Sequence, residues 1–142
     1  MRFNFFNSCE EFLEYYFEQG MSTCFELVMD QFEKDSWYLD DNWIRWCVAE
    51  YETEDGVIPM AAIGFRKDES YNSDHISSYE VNANYRDLGF GSLILNDFIK
   101  DYCSMPYTTL YAEDKNEGFY TKLGFEKDIN VSPYFYFKEN NC

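Results

Sequence analysis

The spacing of hydrophobic residues near the N-terminus predicts two amphipathic helices. Ser8 suits an N-cap, and Glu11 three residues later completes a capping box. The first helix then has one apolar face at the spacing i, i+3, i+4, i+7, i+8, formed by Cys9, Phe12, Leu13, Tyr16 and Phe17. Gly20 stands where a glycine ends a helix. A second helix is predicted from Ser22 or Thr23, with Glu26 as a capping-box partner and a buried stripe of Phe25, Val28, Met29 and Phe32.

From Trp43 onward the pattern changes to the two-residue period of strands. Strands are predicted over residues 3–6, 44–52, 57–66, 75–83, 107–112, 125–129 and 134–138. A hairpin turn is expected at 54–56, polar loops at 35–42 and 67–74, and helices at 91–102 and 117–123. This order predicts a mixed α/β (α+β) fold with one central sheet flanked by helices.

Composition supports a folded chain of one domain. Its 142 residues are 46% hydrophobic and 21% aromatic, too apolar for disorder, and we expect residues 1–142 to form a single domain. No apolar run reaches the roughly 18 residues of a membrane span, and the N-terminus lacks the order of a signal peptide. The five cysteines form no CxxC pair and there is one histidine, so neither a disulfide framework nor a metal site is expected. These features predict a cytoplasmic protein without membrane contacts.

The net charge of −16 argues against nucleic acid as a direct partner, because phosphates would be repelled over most of the surface. The charge is unevenly distributed. Residues 1–80 carry 18 acidic and five basic residues, whereas residues 81–142 carry nine and six. The acidic half favours a cationic partner, although acidic helix faces are also ordinary solvated surface.

The most informative segment connects a predicted strand to a predicted helix through Arg86-x-x-Gly89-x-Gly91. Glycines let backbone N–H groups converge on phosphate oxygens, and the helix N-terminus adds partial positive charge. The segment is neither a Walker loop nor a GxGxxG motif, so its residues fit neither a P-loop NTPase nor a Rossmann protein. A turn that needs glycine for a positive φ is the simpler interpretation of the same residues.

This loop resembles motif A of the GNAT superfamily of N-acetyltransferases, in which R/Q-x-x-G-x-G/A follows a strand and opens a helix. Downstream, residues 110–125 (LYAEDKNEGFYTKLGF) resemble the family's motif B. The resemblance implies a mostly antiparallel twisted sheet whose strands splay apart where the co-substrate acetyl-CoA binds. It also implies an oxyanion donor among the backbone N–H groups of residues 81–83. The implied coenzyme contacts are Val81, Asn82, Ala83, Arg86, Asp87, Leu88, Gly89, Phe90, Gly91, Ser92 and, less closely matched to the family pattern, Asn116.

The same resemblance suggests the catalytic groups. Tyr120, four residues before Gly124, matches the motif B tyrosine that donates a proton to the leaving thiolate. For the general base two candidates remain open. His75 lies where some members of the family carry a carboxylate base, and its ordinary pKa suits proton transfer near pH 7. Glu80 lies on the opposite strand face from His75 unless a bulge intervenes, and it could also be an ordinary outward-facing carboxylate.

The charge distribution suggests an amine acceptor that is cationic. It would be a polyamine, an aminoglycoside-like amine, or the lysine or N-terminus of a basic protein. An aromatic wall of Trp37, Tyr38, Trp43 and Trp46 could contact such a cation. Transfer of a longer acyl group, and a homodimer, remain open. The alternative to an enzyme is an acidic binding or inhibitory protein of the same fold that masks a basic surface of a partner.

Overall fold

The computed structural model describes residues 1–34 and 39–140. Its helices are α1 (Cys9–Glu18), α2 (Glu26–Lys34), α3 (Phe90–Tyr102) and α4 (Glu117–Lys122). Its strands are β1 (Arg2–Phe5), β2 (Arg45–Thr53), β3 (Gly56–Asp68), β4 (Ser73–Val81), β5 (Tyr107–Tyr111), β6 (Glu126–Lys127) and β7 (Phe135–Glu139). Single 3₁₀ turns occur at Met21–Thr23, Glu69–Tyr71, Ala83–Tyr85 and Asp114–Asn116.

Within the described residues one seven-stranded sheet has the order β1-β2-β3-β4-β5-β7-β6. All neighbours in it are antiparallel except β4 and β5, which are parallel. The parallel pairing starts at Ser73 and Tyr107 and stops at Ile76 and Leu110, while β4 continues to Val81. The second half of β4 therefore has no β5 partner. The expected mostly antiparallel sheet with splayed strands is confirmed.

Alternation along β2 divides the interior into two cores. Trp46 and Val48 pack with α1 and α2, whereas Cys47 and Ala49 pack with α3. In the first core Phe12 stacks on Trp46 with ring centroids 4.6 Å apart. The prediction that Trp46 contributes to an exposed aromatic wall is wrong, because this residue is 2% exposed.

The first helix begins as predicted. Ser8 accepts a hydrogen bond from Glu11 N at 3.1 Å, and the Glu11 side chain reaches back to Asn7 N at 3.1 Å. Phe17, however, is 61% exposed, so its predicted place on the buried face is wrong. It lies in the last turn of α1, and the chain turns at Gly20 so that Met21, which is fully buried, occupies the core instead.

The second helix begins later than predicted, at Glu26. Residues 21–23 form a separate turn, and Cys24 N and Phe25 N both donate to Met21 O. The N-terminus of α2 is instead capped by a distant side chain, Glu80 of β4, as described below. The predicted capping box at this helix is therefore wrong. Of the predicted loop 35–42, residues 35–38 lie outside the described residues.

The strands around the predicted loop 67–74 are longer than expected. Lys67 pairs with Asp74 and Asp68 with Ser73, so β3 and β4 extend into the segment and leave a short turn. The β3–β4 register shifts so that Gly64 faces Ser78 and Phe65 faces Ile76, which leaves Ser77 as a bulge. Because of this bulge, His75 and Glu80 lie on the same face of the sheet, contrary to the simple alternation.

Candidate active site

A cavity of about 420 Å³ lies where β4, α3 and α4 converge, beyond the point where β5 diverges. It brings together most of the residues singled out by the sequence, including the candidate acid and one candidate base. The predicted residues that line it are Glu80, Val81, Arg86, Asp87, Gly89, Gly91, Ser92, Asn116 and Tyr120.

The glycine loop presents the N-terminus of α3 to this cavity. Asp87 and Gly89 adopt left-handed φ values of 63° and 88°, and α3 then starts at Phe90 without a side-chain cap. The first N–H groups of a helix have no partner within the helix, and the helix dipole is positive at this end. A Cβ on Gly91 would lie 3.3 Å from Val81 Cγ2, so glycine permits close packing here. The arrangement suits an anionic group such as a phosphate.

Four predicted coenzyme contacts do not line the cavity: Asn82, Ala83, Leu88 and Phe90. Asn82 is buried and donates from Nδ2 to Pro59 O at 2.8 Å. Its backbone N–H donates to Met60 O, and Ala83 N donates to Cys24 O at 3.0 Å. Two of the three expected oxyanion donors are therefore committed to other acceptors.

Glu80 is held by backbone and side-chain donors from two directions. Its carboxylate accepts hydrogen bonds from Val28 N at 2.9 Å and Leu27 N at 3.2 Å, in the first turn of α2. Arg86 Nη2 lies 3.1 Å from Glu80 Oε2, and Arg86 Nε donates to Val81 O at 3.1 Å. The pKa of the Glu80 carboxyl is raised, because the effect of burial exceeds the lowering by the bonds from Val28, Leu27 and Arg86. The Arg86 guanidinium is thus bound to β4, and Glu80 fastens α2 to the cavity.

Tyr120 lies on α4 with its ring half-buried among aromatic neighbours. The ring centroids of Phe119, Phe125 and Tyr136 lie 5.0, 5.8 and 6.1 Å from it. Burial raises the pKa of the Tyr120 hydroxyl, so the group is protonated at neutral pH and can serve as an acid.

Three lining residues were missed by the sequence analysis: Leu27, Tyr79 and Phe119. Tyr79 could have been found, because alternation along β4 puts it on the same face as Val81. Its hydroxyl donates to Gly91 O at 2.6 Å and so joins β4 to the first turn of α3. Leu27 lies at the start of α2, where Glu80 accepts a hydrogen bond from its backbone N–H, a contact with no local sequence signal.

His75 lies outside this cavity, in a second depression of about 400 Å³ lined by Trp43, Arg66, His75, Ser77 and Tyr111. It is 6% exposed, so the alternative that it is an exposed residue at the strand entry is wrong. Its Nδ1 lies 2.9 Å from Thr109 Oγ1. Burial, and secondarily the charge of Arg66, lower the pKa of His75 from 6.5 to about 4, so the ring is neutral at physiological pH.

Of the predicted aromatic wall, the structure describes Trp43 and Trp46. Trp37 and Tyr38 lie outside the described residues, and Trp46 is buried. Trp43 is 45% exposed, and the Arg66 guanidinium carbon lies 4.4 Å from the centre of its ring. A cation of the protein itself therefore occupies one face of this tryptophan.

Comparison with known proteins identifies the family. The sequence model of the acetyltransferase (GNAT) family matches residues 8–125. The chain belongs to the GNAT family of acetyltransferases. No curated protein sequence matches this GNAT chain.

Solved structures show the same fold at low sequence identity. A GNAT-family acetyltransferase from Staphylococcus aureus Mu50 aligns with a TM-score of 0.61 and 18% identity, over 97% of this chain and 99% of that one. A chimera of spermidine N-acetyltransferase SpeG from Vibrio cholerae and hSSAT gives 0.62 and 14%, over 98% and 96%. AtaTR bound with AcCoA gives 0.60 and 13%, over 82% and 81%.

Residues 1–34 and 39–140 contain neither a membrane-spanning helix nor a metal-binding cluster. Every helix there is too short or too polar to cross a membrane. In the same part of the chain, no group of three or more His, Cys, Asp or Glu side chains is arranged to hold a metal ion.

The depressed pKa of His75 predicts a pH-dependent stability. Between pH 6.5 and about 4 the unfolded chain binds a proton that the folded protein rejects, so the stability contributed by the neutral ring is lost as pH falls through this window. From pH 7 to pH 5 we expect the wild type to lose about 2 kcal/mol more unfolding free energy than His75→Gln, measured by denaturant unfolding. Parallel pH profiles of the two proteins would contradict this.

Asp87 would oppose the binding of an anion by the glycine loop, because it is exposed and lines the cavity beside the α3 N-terminus. Asparagine tolerates the same left-handed backbone, so Asp87→Asn removes only the charge. We expect the Kd for acetyl-CoA to fall about two- to fivefold at low salt, and the gain to shrink at high salt. Asp101→Asn, on the exposed last turn of α3, is the control and should leave the Kd unchanged.

Proposed function

We propose that the protein is an acetyl-CoA-dependent N-acetyltransferase, formed by residues 1–142 as one domain, that acetylates a primary amine. One observation carries the proposal: the uncapped N-terminus of α3 and the Tyr120 ring line the same cavity, at the place where β4 leaves β5. An anion-binding loop and a half-buried acid are two of the features that acetyl transfer from a coenzyme A thioester needs from the protein.

The cavity supplies groups for each part of acetyl-CoA. The N–H groups at the start of α3, between Gly89 and Ser92, would hold the pyrophosphate. The half of β4 without a β5 partner, up to Val81, would bind the pantetheine arm through its backbone, with Asn116 on the opposite wall. Acetyl-CoA supplies the activated thioester, and the amine attacks its carbonyl directly.

Tyr120 is proposed to donate its proton to the departing coenzyme A thiolate as the C–S bond breaks and the C–N bond forms. The amine must also lose a proton. The His75 ring is unprotonated at pH 7, but its pKa of about 4 makes it a weaker base than the pKa of 6.5 by which the sequence suggested it. The Glu80 carboxylate already accepts bonds from Leu27, Val28 and Arg86. We therefore propose His75 as the base and Glu80 as a positioning residue.

The kinetics of two variants distinguish these roles. Because a base acts in the chemical step, His75→Gln should lower kcat and change the pH dependence of the rate. Glu80→Gln should mainly raise KM for the amine, because one carboxylate oxygen that anchors α2 becomes an amide while the titrating groups of the reaction remain. A pH–rate profile of His75→Gln identical to that of the wild type would reject His75 as the base, and an altered profile in Glu80→Gln would reject the positioning role of Glu80.

The proposed activity is tested with acetyl-CoA and a panel of amines. A saturating ligand stabilises the folded state by mass action, so acetyl-CoA should raise the unfolding midpoint. Coenzyme A release should then depend on one class of amine, with the product identified by mass spectrometry. The acidic first 80 residues support an ammonium-bearing acceptor, either a small cationic molecule or the lysine or N-terminus of a protein.

A second candidate is an acidic binding or inhibitory protein that uses the GNAT fold to mask a basic surface. The net charge of −16 favours it, and so does Asp87 in the loop that would otherwise hold phosphate. Absence of any thermal shift with acetyl-CoA, together with salt-sensitive binding to a basic protein, would support this alternative over the enzyme.

A further inference from the structure

The depression that contains His75 continues the candidate active site along β4. Ser77 lines the depression and Tyr79 lines the coenzyme cavity. One residue, Ser78, lies between them, so their backbone positions are two strand steps or about 7 Å apart. The acetyl group would lie between the two cavities, where β4 has no β5 partner. The depression is therefore placed to receive the acceptor.

The side chains that line this depression differ in charge from the protein as a whole. Although the chain has 27 acidic residues, no carboxylate lines the depression, and its one formally charged group is Arg66. These lining residues are those of the described ranges, 1–34 and 39–140. Arg66 is paired with Asp68 outside this lining, so a polyamine would meet an arginine and no lining carboxylate among the described residues.

Arg66 is held in a fixed position. Its guanidinium lies over the Trp43 ring at 4.4 Å, and Nη1 lies 3.3 Å from Asp68 Oδ2. No other ion pair or hydrogen bond of this guanidinium occurs among the described residues. A guanidinium has five donors and binds carboxylates in a two-pronged geometry. Arg66 also pairs with His75 across β3 and β4, so its charge acts at the candidate base.

We propose that the acceptor amine carries a carboxylate, as an amino acid does, and that Arg66 binds this carboxylate between Trp43 and Tyr111. The inference rests on the proposed function. A zwitterion fits both features of the protein, since the acidic surface attracts the ammonium group while Arg66 binds the carboxylate. Arg66 is then a specificity-determining residue, and a polycation is disfavoured.

The test compares the standard L-amino acids with their carboxamides, which keep the amine and lose the negative charge, and includes spermidine as a polycation. The readout is the ratio of kcat/KM for the best amino acid to that of its carboxamide, from acetyl-CoA-dependent coenzyme A release. We expect a ratio above one that falls about tenfold or more in Arg66→Gln, since a charged hydrogen bond is lost. Asp68→Asn removes the competing carboxylate and should raise the ratio.

The outcomes separate the inference from the proposed function. Preference for spermidine, an unchanged ratio in Arg66→Gln, or acetyl-CoA binding without acetylation of any amino acid would overturn the inference and leave the fold's coenzyme site intact. If acetyl-CoA is neither bound nor consumed, the proposed function fails and the inference fails with it. Each variant is compared only after its acetyl-CoA thermal shift matches that of the wild type, and Arg66→Lys should restore part of the ratio.

Discussion

Replacement of Tyr120 by phenylalanine is expected to lower kcat about 100-fold while leaving the Kd for acetyl-CoA nearly unchanged. General acid catalysis typically contributes 10²- to 10⁴-fold, and this contribution is realised only in the transition state. The phenyl ring keeps the contacts with Phe119 and Phe125, so the cavity keeps its shape. The rate of coenzyme A release and the acetyl-CoA thermal shift measure the two effects separately.

Tyr136 provides a matched control for this substitution. It is fully buried 6.1 Å from the Tyr120 ring, and its hydroxyl has no hydrogen-bond partner among the described residues. Tyr136→Phe makes the same chemical change in the same aromatic cluster, outside the cavity lining. Its kcat should remain that of the wild type. Equal losses in the two variants, or no loss in Tyr120→Phe, would remove Tyr120 from the mechanism.

The parts of the site that the sequence predicted are those encoded locally. The turn from β4 into α3 depends on Gly89, whose φ of 88° few other residues adopt, and on the polar loop around it. The first helix depends on the cap at Ser8, which bonds to Glu11 three residues away. Such features need only neighbouring residues, so a single sequence reveals them.

The parts that could not be predicted depend on contacts between distant segments. The α2 N-terminus is capped by Glu80, more than fifty positions along the chain, so neither the start of α2 nor the function of this carboxylate has a local signal. The bulge at Ser77 arises from the register of β4 against β3. It places Glu80 and His75 on the same face of the sheet. Trp46 is buried because α1 and α2 pack over β2.

The net charge of the chain likewise fails to predict a local feature of the structure. Counting residues predicts an acidic surface and a cationic partner, and both follow from long-range electrostatics. The second depression nevertheless contains an arginine and no lining carboxylate among the described residues. The local charge where an acceptor would bind depends on the contacts of Arg66 with Trp43 and Asp68. The net charge of the chain does not predict this local arrangement.

Gly89→Ala is expected to weaken acetyl-CoA binding about 5- to 30-fold. An alanine at a φ of 88° costs roughly 1–2 kcal/mol, so the free loop would relax to another conformation. Binding would then require the loop to return to the strained conformation, so the binding free energy would be less favourable by the same amount, roughly 1–2 kcal/mol. Each 1.4 kcal/mol raises the Kd about tenfold. No atom within 4 Å would meet the new methyl group, so a steric clash does not contribute. Isothermal titration with acetyl-CoA measures the loss.

Gly20→Ala is the control because Gly20 has a comparable φ of 63°, with nothing within 4 Å of the added Cβ, at the C-terminal end of α1. Gly20→Ala should lose unfolding free energy and keep its affinity for acetyl-CoA, whereas Gly89→Ala, whose free loop relaxes, should lose less unfolding free energy and bind acetyl-CoA more weakly. If both bind acetyl-CoA as the wild type does, the α3 N-terminus is not the phosphate site, and the glycine serves only the turn. If both lose affinity equally, the effect arises from general destabilisation, and the loop has no special part in binding.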